Sequence, residues 1–330
     1  MGRRVHSRQA GALSGYDTPR SLSFSLRIVV TVKISFGDDK DMRALIIAAG
    51  RGERLKPFTD MEPKPLIPLL GLRLVERVII SVREAGIREV VIVIGHLGEK
   101  LKRFLGNGSK YGVKIKYVKN NRWEMGNGVS VYEARNLLKE NFILLMSDHL
   151  FNPRILSALR RFKIGIDECV LCVDMGMRYV FDIDDATKVK VVHDKIVEIG
   201  KGLEEFNGVD MGIFLCSPHI FKILERNIEK GFYSLTEGIR ELAKQGKMKA
   251  YCIENDEDYW IDIDTFEILK IAENMLLMYD QVYGAIPGKV EIERSFTNPL
   301  SNIKFLDLQP ANEKSLRASI LEEPSKDEES

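Results

Sequence analysis

Cysteine is scarce in this 330-residue chain, with four in all, too few for the disulfide framework that staples small secreted domains. Cys169 and Cys172 stand three apart in an apolar run that reads as a strand, and an odd spacing turns them to opposite faces, which speaks against a shared metal or redox role. Long apolar runs are missing too. No stretch reaches the roughly 18 uninterrupted apolar residues of a membrane span, and Ser21 to Phe36 is broken by Arg27 and Lys33. The chain is therefore expected to be soluble and cytoplasmic. Neither sign of charge dominates: 49 Lys and Arg against 48 Asp and Glu leave a net charge of +1, so nothing global draws it to nucleic acid or an anionic membrane. His6, His96, His193 and His219 are scattered without metal-ligand spacing. Glutamine is scarce while 29% of residues are charged, a balance that leans towards a thermophilic source.

What is present is a chain long enough for a sizeable core, 45% hydrophobic. From Arg43 it reads as strand, glycine-bearing loop, helix: RALIIAA, then a polar loop, then an amphipathic helix over Leu74 to Ala85. A strand at 89–95, a helix near 97–105, a strand at 113–118, a helix over 128–139 and the strand FILLM at 142–146 follow. This alternation predicts an α/β fold with a Rossmann-like, mixed but mostly parallel sheet flanked by helices. ECVLCVD, TKVKVV, KIVEIG and GVDMGIFLC read as further strands, with helices at 217–229, 235–244 and 265–279. Short strands between 170 and 200 with no helix among them predict a small antiparallel insertion. Residues 1–41 are basic and serine-rich and read as a loose extension or an over-long start before Met42; residues 42–281 form the expected domain. Residues 282–330 read as an extension ending in a solvated tail.

In an open α/β sheet ligands bind beyond the carboxyl ends of the strands, which directs attention to the first strand-to-helix loop. It holds Ala49, Gly50, Gly52, Arg54 and Lys64. Two glycines allow backbone N–H groups close to a phosphate, and the two cations add charge for a polyphosphate. A dinucleotide-binding loop would need a third glycine where Leu55 stands, and GxxxxGK[ST] occurs nowhere, so both of those phosphate loops are excluded. Further on, EMGNGVS places Gly126, Asn127, Gly128 and Ser130 ahead of a helix, where they could meet a base edge or simply cap the helix. Asp148 follows FILLM at a strand's carboxyl end, a place for a Mg²⁺ ligand. In WIDIDT, Asp262 and Asp264 alternate with Ile261 and Ile263, which puts both carboxylates on one side. Asp148 with Asp262 would satisfy Mg²⁺, with Asp264 in reserve.

AAGRGERLKPFT followed by PKPLIPL resembles the opening of the sugar nucleotidyltransferases, whose pattern is G-x-G-x-R-L-x-P and then P-K-P. The resemblance implies that Gly50, Gly52, Arg54 and Lys64 hold the phosphates of a nucleoside triphosphate and that the metal lies between Asp148 and Asp262. It also implies a base-reading loop at Gly126 to Ser130, in a form like that of cytidylyltransferases. The Asp148-His149 pair and KIVEIGKGLEEFNGVDMGIF resemble inositol-1-phosphate cytidylyltransferases. That likeness implies Lys201 on an acceptor phosphate, Gly212 where the acceptor ring approaches the backbone, and His149 and Asp210 nearby. The implied activity is formation of CDP-inositol and pyrophosphate from CTP and inositol 1-phosphate, with Mg²⁺, for inositol-phosphate solutes. A separate membrane CDP-inositol phosphotransferase is the implied partner. Phosphocholine or a hexose 1-phosphate as acceptor, UTP or dTTP as donor, and a non-catalytic nucleotide-binding module remain alternatives. Choline is disfavoured because the aromatics near Lys201 are limited to Phe206 and Phe214.

Overall fold

The chain is described here from a computed structural model over residues 42–177, 180–253 and 258–283. The expected N-terminal extension and nearly all of the C-terminal one lie outside the described residues. The first strand, β1 (Arg43–Ala48), is RALIIA, and Ala44 through Ala48 are buried. A short helix α1 (Phe58–Met61) and a ribbon of β2 (Pro68–Leu69) and β3 (Leu72–Arg73) fill the long loop before α2 (Leu74–Glu84). Then come β4 (Glu89–Ile94), α3 (Gly98–Leu105), β5 (Lys114–Lys119), α4 (Asn127–Glu133) and β6 (Phe142–Met146). A three-residue strand β7 (His149–Phe151) leads into α5 (Pro153–Leu159), which is capped by the Asn152 side chain accepting from Arg154 N, with Pro153 in its first turn. The second half holds β8 (Cys169–Asp174), β9 (Lys188–Val192), β10 (Lys195–Gly200) and β11 (Gly208–Cys216). It closes with α6 (His219–Glu229), α7 (Leu235–Lys244), β12 (Met248–Ile253), β13 (Trp260–Asp262) and α8 (Phe266–Tyr283).

Nine of these strands form one mixed sheet in the order β5-β4-β1-β6-β11-β8-β12-β10-β9. β5, β4, β1 and β6 run parallel, and β11 runs against both β6 and β8. β12 runs with β8, and the β9–β10 hairpin is the expected antiparallel insertion. Only β10 and β11 oppose the prevailing direction, so the sheet is mixed but mostly of one sense, as the sequence predicts. Continuous apolar strands such as β4 and β6 arise because both faces are covered. One layer takes α2, α3 and α5; the other takes α4, α6 and α7. Cys172 packs in the first and Cys169 in the second, and all four cysteines are free. A third cluster joins the β2–β3 ribbon, the antiparallel β7–β13 pair and α8.

Three differences from the sequence reading have local causes. The helix expected over 128–139 ends at Glu133 and continues as a 3-10 turn, Ala134–Asn136. There the Arg43 guanidinium donates to the Leu137 carbonyl at 2.8 Å while Leu138 turns into the core. β7 and α5 are too short to show a period, and β12 is edged by polar turns, so none of the three was foreseen. Asp264 lies beyond the end of β13, although Ile261 and Ile263 are both fully buried on the opposite side from the carboxylates. Among the described residues no helix is long and apolar enough to cross a membrane.

Candidate active site

A cavity of about 460 Å³ opens over the carboxyl ends of β1 and β6 and the adjoining stretch of β11. Gly50, Gly52, Arg54, Lys64, Gly126, Asn127, Ser130, Asp148, His149, Lys201, Asp210, Gly212, Asp262 and Asp264 all line it. Ala49 and Gly128, the other two residues singled out in the sequence, stand just behind. Ala49 is buried and accepts a backbone hydrogen bond from His96, and a Cβ on Gly128 would sit 2.7 Å from the Tyr233 carbonyl oxygen.

The glycine loop is shaped by close approach. Gly52 has φ +72°, and a Cβ there would lie 2.9 Å from Lys64 Cβ, so glycine lets the lysine stem cross the loop. A Cβ at Gly50 would meet nothing within 4 Å, so its backbone is open to the cavity. Lys64 sits between Pro63 and Pro65 at the start of a 3-10 turn and is only 7% exposed. Its Nζ reaches Asp148 Oδ2 at 2.6 Å and Asp264 Oδ1 at 2.5 Å. Burial would lower the pKa of this ammonium, but Asp148, Asp262 and Asp264 overrule it and hold it above its ordinary value.

β7 and β13 pair so that Asp262 stands opposite His149. This register explains why residues more than a hundred positions apart meet. The His149 ring donates through Nδ1 to the Met211 carbonyl at 2.8 Å, since a carbonyl can only accept, and turns Nε2 towards Asp262 Oδ1 at 3.4 Å and Asp148 Oδ1 at 3.9 Å. Burial would push the imidazole down, yet Asp262, Asp148 and the Met211 carbonyl raise it to about 10. Asp148, His149 and Asp262 offer ligand atoms within 4.8 Å of one another, a cluster that could hold a cation. Asp262 Oδ1 is enclosed and makes no well-formed hydrogen bond. Asp264, the reserve metal ligand, stands outside this cluster and instead pairs with Lys64 and Arg54.

Gly212 (φ +68°) faces His149: a Cβ there would lie 2.4 Å from the ring's Cε1. The absence of a side chain at Gly212 thus leaves room for the imidazole, while the residue itself lines the cavity. Asp210 accepts from Gly212 N at 2.7 Å, and burial pushes its carboxyl up to about 6. Asn127 is committed in part to packing, because its Oδ1 accepts from Leu235 N at 2.8 Å, and Ser130 Oγ accepts from the Asn120 amide at 2.9 Å. Neither caps α4, whose N-cap is Gly126. Lys201, in the turn after β10, is exposed and pairs with Asp185.

Asp185 is the main residue that the sequence reading missed. Its carboxylate bridges Lys201 and Arg54, the latter at 2.7 Å, and Lys201 first, then Arg54, hold it below the ordinary carboxylate range. The signal in the sequence is weak: an acidic run, FDIDDA, before β9, with no spacing that marks a ligand. Trp123, Phe181, Thr236 and Trp260 line the cavity as well.

Residues 43–277 match the nucleotidyl transferase family. The chain belongs to that family. It is 34% identical over 71% of its length to the bifunctional IPC transferase and DIPP synthase of Rubrobacter xylanophilus, covering 52% of that protein. It is 33% identical over 71% of its length to the protein of the same name from Aquifex aeolicus, covering 51% of it. The chain thus spans about half the length of these curated relatives. Among solved structures, the inositol-1-phosphate CTP transferase from T. maritima superposes with a TM-score of 0.62 at 28% identity, over 71% of this chain and 94% of that one. The mixed sheet flanked by helices agrees with the α/β fold of that solved relative.

Proposed function

We propose that residues 42–281 form a cytidylyltransferase that makes CDP-inositol and pyrophosphate from CTP and inositol 1-phosphate, for the synthesis of inositol-phosphate solutes. The observation that carries this reading is the arrangement of the cavity. From the glycine loop, Lys64 pairs with Asp148 and Asp264 and Arg54 pairs with Asp264 and Asp185, and Lys201 adds a third cation on the side of the β9–β10 hairpin. The names of the relatives supply the choice of cytidylyl and inositol groups.

The carboxylates fit a hard divalent cation, which takes oxygen ligands and few protein carboxylates, and the enclosed Asp262 Oδ1, which makes no well-formed hydrogen bond, is an oxygen of that kind. When bound there, Mg²⁺ would offset phosphate charge and draw electron density from the phosphoryl oxygens, which makes the α-phosphorus more electrophilic. The chain's own residues do the rest by placement and charge. Gly50 and Gly52 bring backbone N–H groups to the triphosphate, Arg54 and Lys64 balance its charge, and Gly126 to Ser130 border the base. Lys201 holds the acceptor phosphate, with Asp210 directed at acceptor hydroxyls. An anionic oxygen of that phosphate attacks the α-phosphorus, the bond to the bridging oxygen breaks, and pyrophosphate leaves. No general base is required, because the attacking oxygen carries its charge already. His149 balances the two carboxylates beneath the acceptor and takes no part in proton transfer. The product would pass to a separate membrane CDP-inositol phosphotransferase.

The test is pyrophosphate release from each of the four nucleoside triphosphates with Mg²⁺ and a panel of phosphorylated acceptors, with wild type and Asp148→Ala in parallel. Release with CTP and inositol 1-phosphate alone, lost in the variant, is the expected result. Release with another pair would retire these substrates, and release with none would overturn the catalytic reading.

A further inference from the structure

The cations proposed to hold the two substrates share one side-chain partner, Asp185. Asp185 takes Arg54 Nη1 on Oδ2 at 2.7 Å and Lys201 Nζ on Oδ1. Arg54 comes from the loop after β1 and Lys201 from the turn after β10, so a single carboxylate ties the glycine loop to the β9–β10 hairpin.

The local structure builds this contact firmly. β9 and β10 pair with Gly200 opposite Lys188, which lays the segment before β9 against the Lys201 turn. Lys188 Nζ then donates to the Lys201 carbonyl at 2.9 Å. The Asp185 backbone is fixed in turn, its N–H donating to Asp182 Oδ1 at 3.1 Å while Ala186 N donates to the Asp182 carbonyl at 3.0 Å. The neighbouring Asp184 is exposed and does not line the cavity.

A carboxylate between two cations has the charge and the oxygen spacing of a phosphate edge. We infer that Asp185 is a positioning residue which keeps Arg54 and Lys201 at the mouth of the site as a resident counter-ion and is displaced from them by the phosphates of the two substrates. The inference rests on the roles proposed above for Arg54 and Lys201. Phosphate binding exchanges one anion for another, so part of its favourable charge interaction goes to breaking the existing pairs. Removing the charge of Asp185 frees Lys201 of its partner and leaves Arg54 paired with Asp264 alone.

Inorganic tripolyphosphate tests this without assuming which nucleotide or acceptor is used. Binding is measured by calorimetry at low ionic strength for wild type, Asp185→Asn, Asp185→Ser and Asp184→Asn. Both Asp185 variants should bind about two- to thirtyfold tighter, the span expected from losing two exposed ion pairs, while Asp184→Asn should match wild type. The gain should shrink when Arg54→Gln is added and vanish when Lys201→Gln is added as well. In turnover with CTP and inositol 1-phosphate, Asp185→Asn should lower KM for both at unchanged kcat. Unchanged or weaker tripolyphosphate binding in the Asp185 variants, or a gain that survives Arg54→Gln and Lys201→Gln together, overturns the inference. Absence of turnover beside tighter tripolyphosphate binding would count against the proposed reaction and leave the counter-ion role supported.

Discussion

Replacing Lys64 with Met keeps the length of a nearly buried side chain and removes the charge between Asp148 and Asp264. Removing one partner of a buried ion pair costs about 3–5 kcal/mol because the remaining charge is stranded. Here the side chains of Asp148 and Asp264 are 22% and 19% exposed, and Arg54 still pairs with Asp264. Part of the loss is therefore recovered, and we expect destabilisation of about 2–3 kcal/mol, or a drop in Tm of roughly 4–12 °C for a domain of this size. The sign with pH follows from the raised pKa of Lys64: its stabilising charge is complete everywhere below its ordinary value near 10.4 and is lost only as pH climbs through the folded value. At neutral pH the wild type thus has the full contribution. Urea unfolding followed by circular dichroism in metal-free buffer at neutral pH measures this. A deficit below about 0.5 kcal/mol would refute the placement of Lys64 as the charge that holds these carboxylates together.

His149 should make stability depend on alkaline pH: its folded pKa of about 10 exceeds the ordinary 6.5, so its contribution is complete below 6.5 and fades as pH rises to about 10. The stability gap between wild type and His149→Gln in metal-free buffer should therefore narrow across that window, and a constant gap would contradict the charged imidazole. The two loop glycines should separate folding from binding. Gly50→Ala, with open space around it, should leave Tm unchanged and weaken tripolyphosphate binding, whereas Gly52→Ala, at φ +72° and 2.9 Å from Lys64 Cβ, should cost about 1–3 kcal/mol. Equal melting temperatures for the two variants would show that the lysine stem does not need that space.

Much of this was legible along the chain because it depends on local pattern. Apolar runs such as RALIIA and FILLM specify buried strands wherever they lie, and glycines beside Arg54 and Lys64 mark a candidate phosphate loop by residue type alone. The alternation of WIDIDT placed Ile261 and Ile263 inward and both carboxylates outward, even though Asp264 falls past the strand end. The identities of the cavity residues were accessible for the same reason: most stand at a strand's carboxyl end or in a glycine turn, positions that a linear reading can find.

The pairing of those residues was decided by tertiary structure alone. Which carboxylate faces Lys64, which faces His149 and which faces Arg54 depends on the register of β7 with β13 and on how the β9–β10 hairpin folds towards the glycine loop. Asp185 had no signature of its own and joined the site only because two distant cations converge on it. That Gly212 lies against the His149 ring could be seen only in the folded chain. Residue type and periodicity act over a few positions, so the sequence by itself determined the fold class, the family and the set of charged groups; ion pairs and steric exclusion act through space, so only the folded chain determined which of those groups meet.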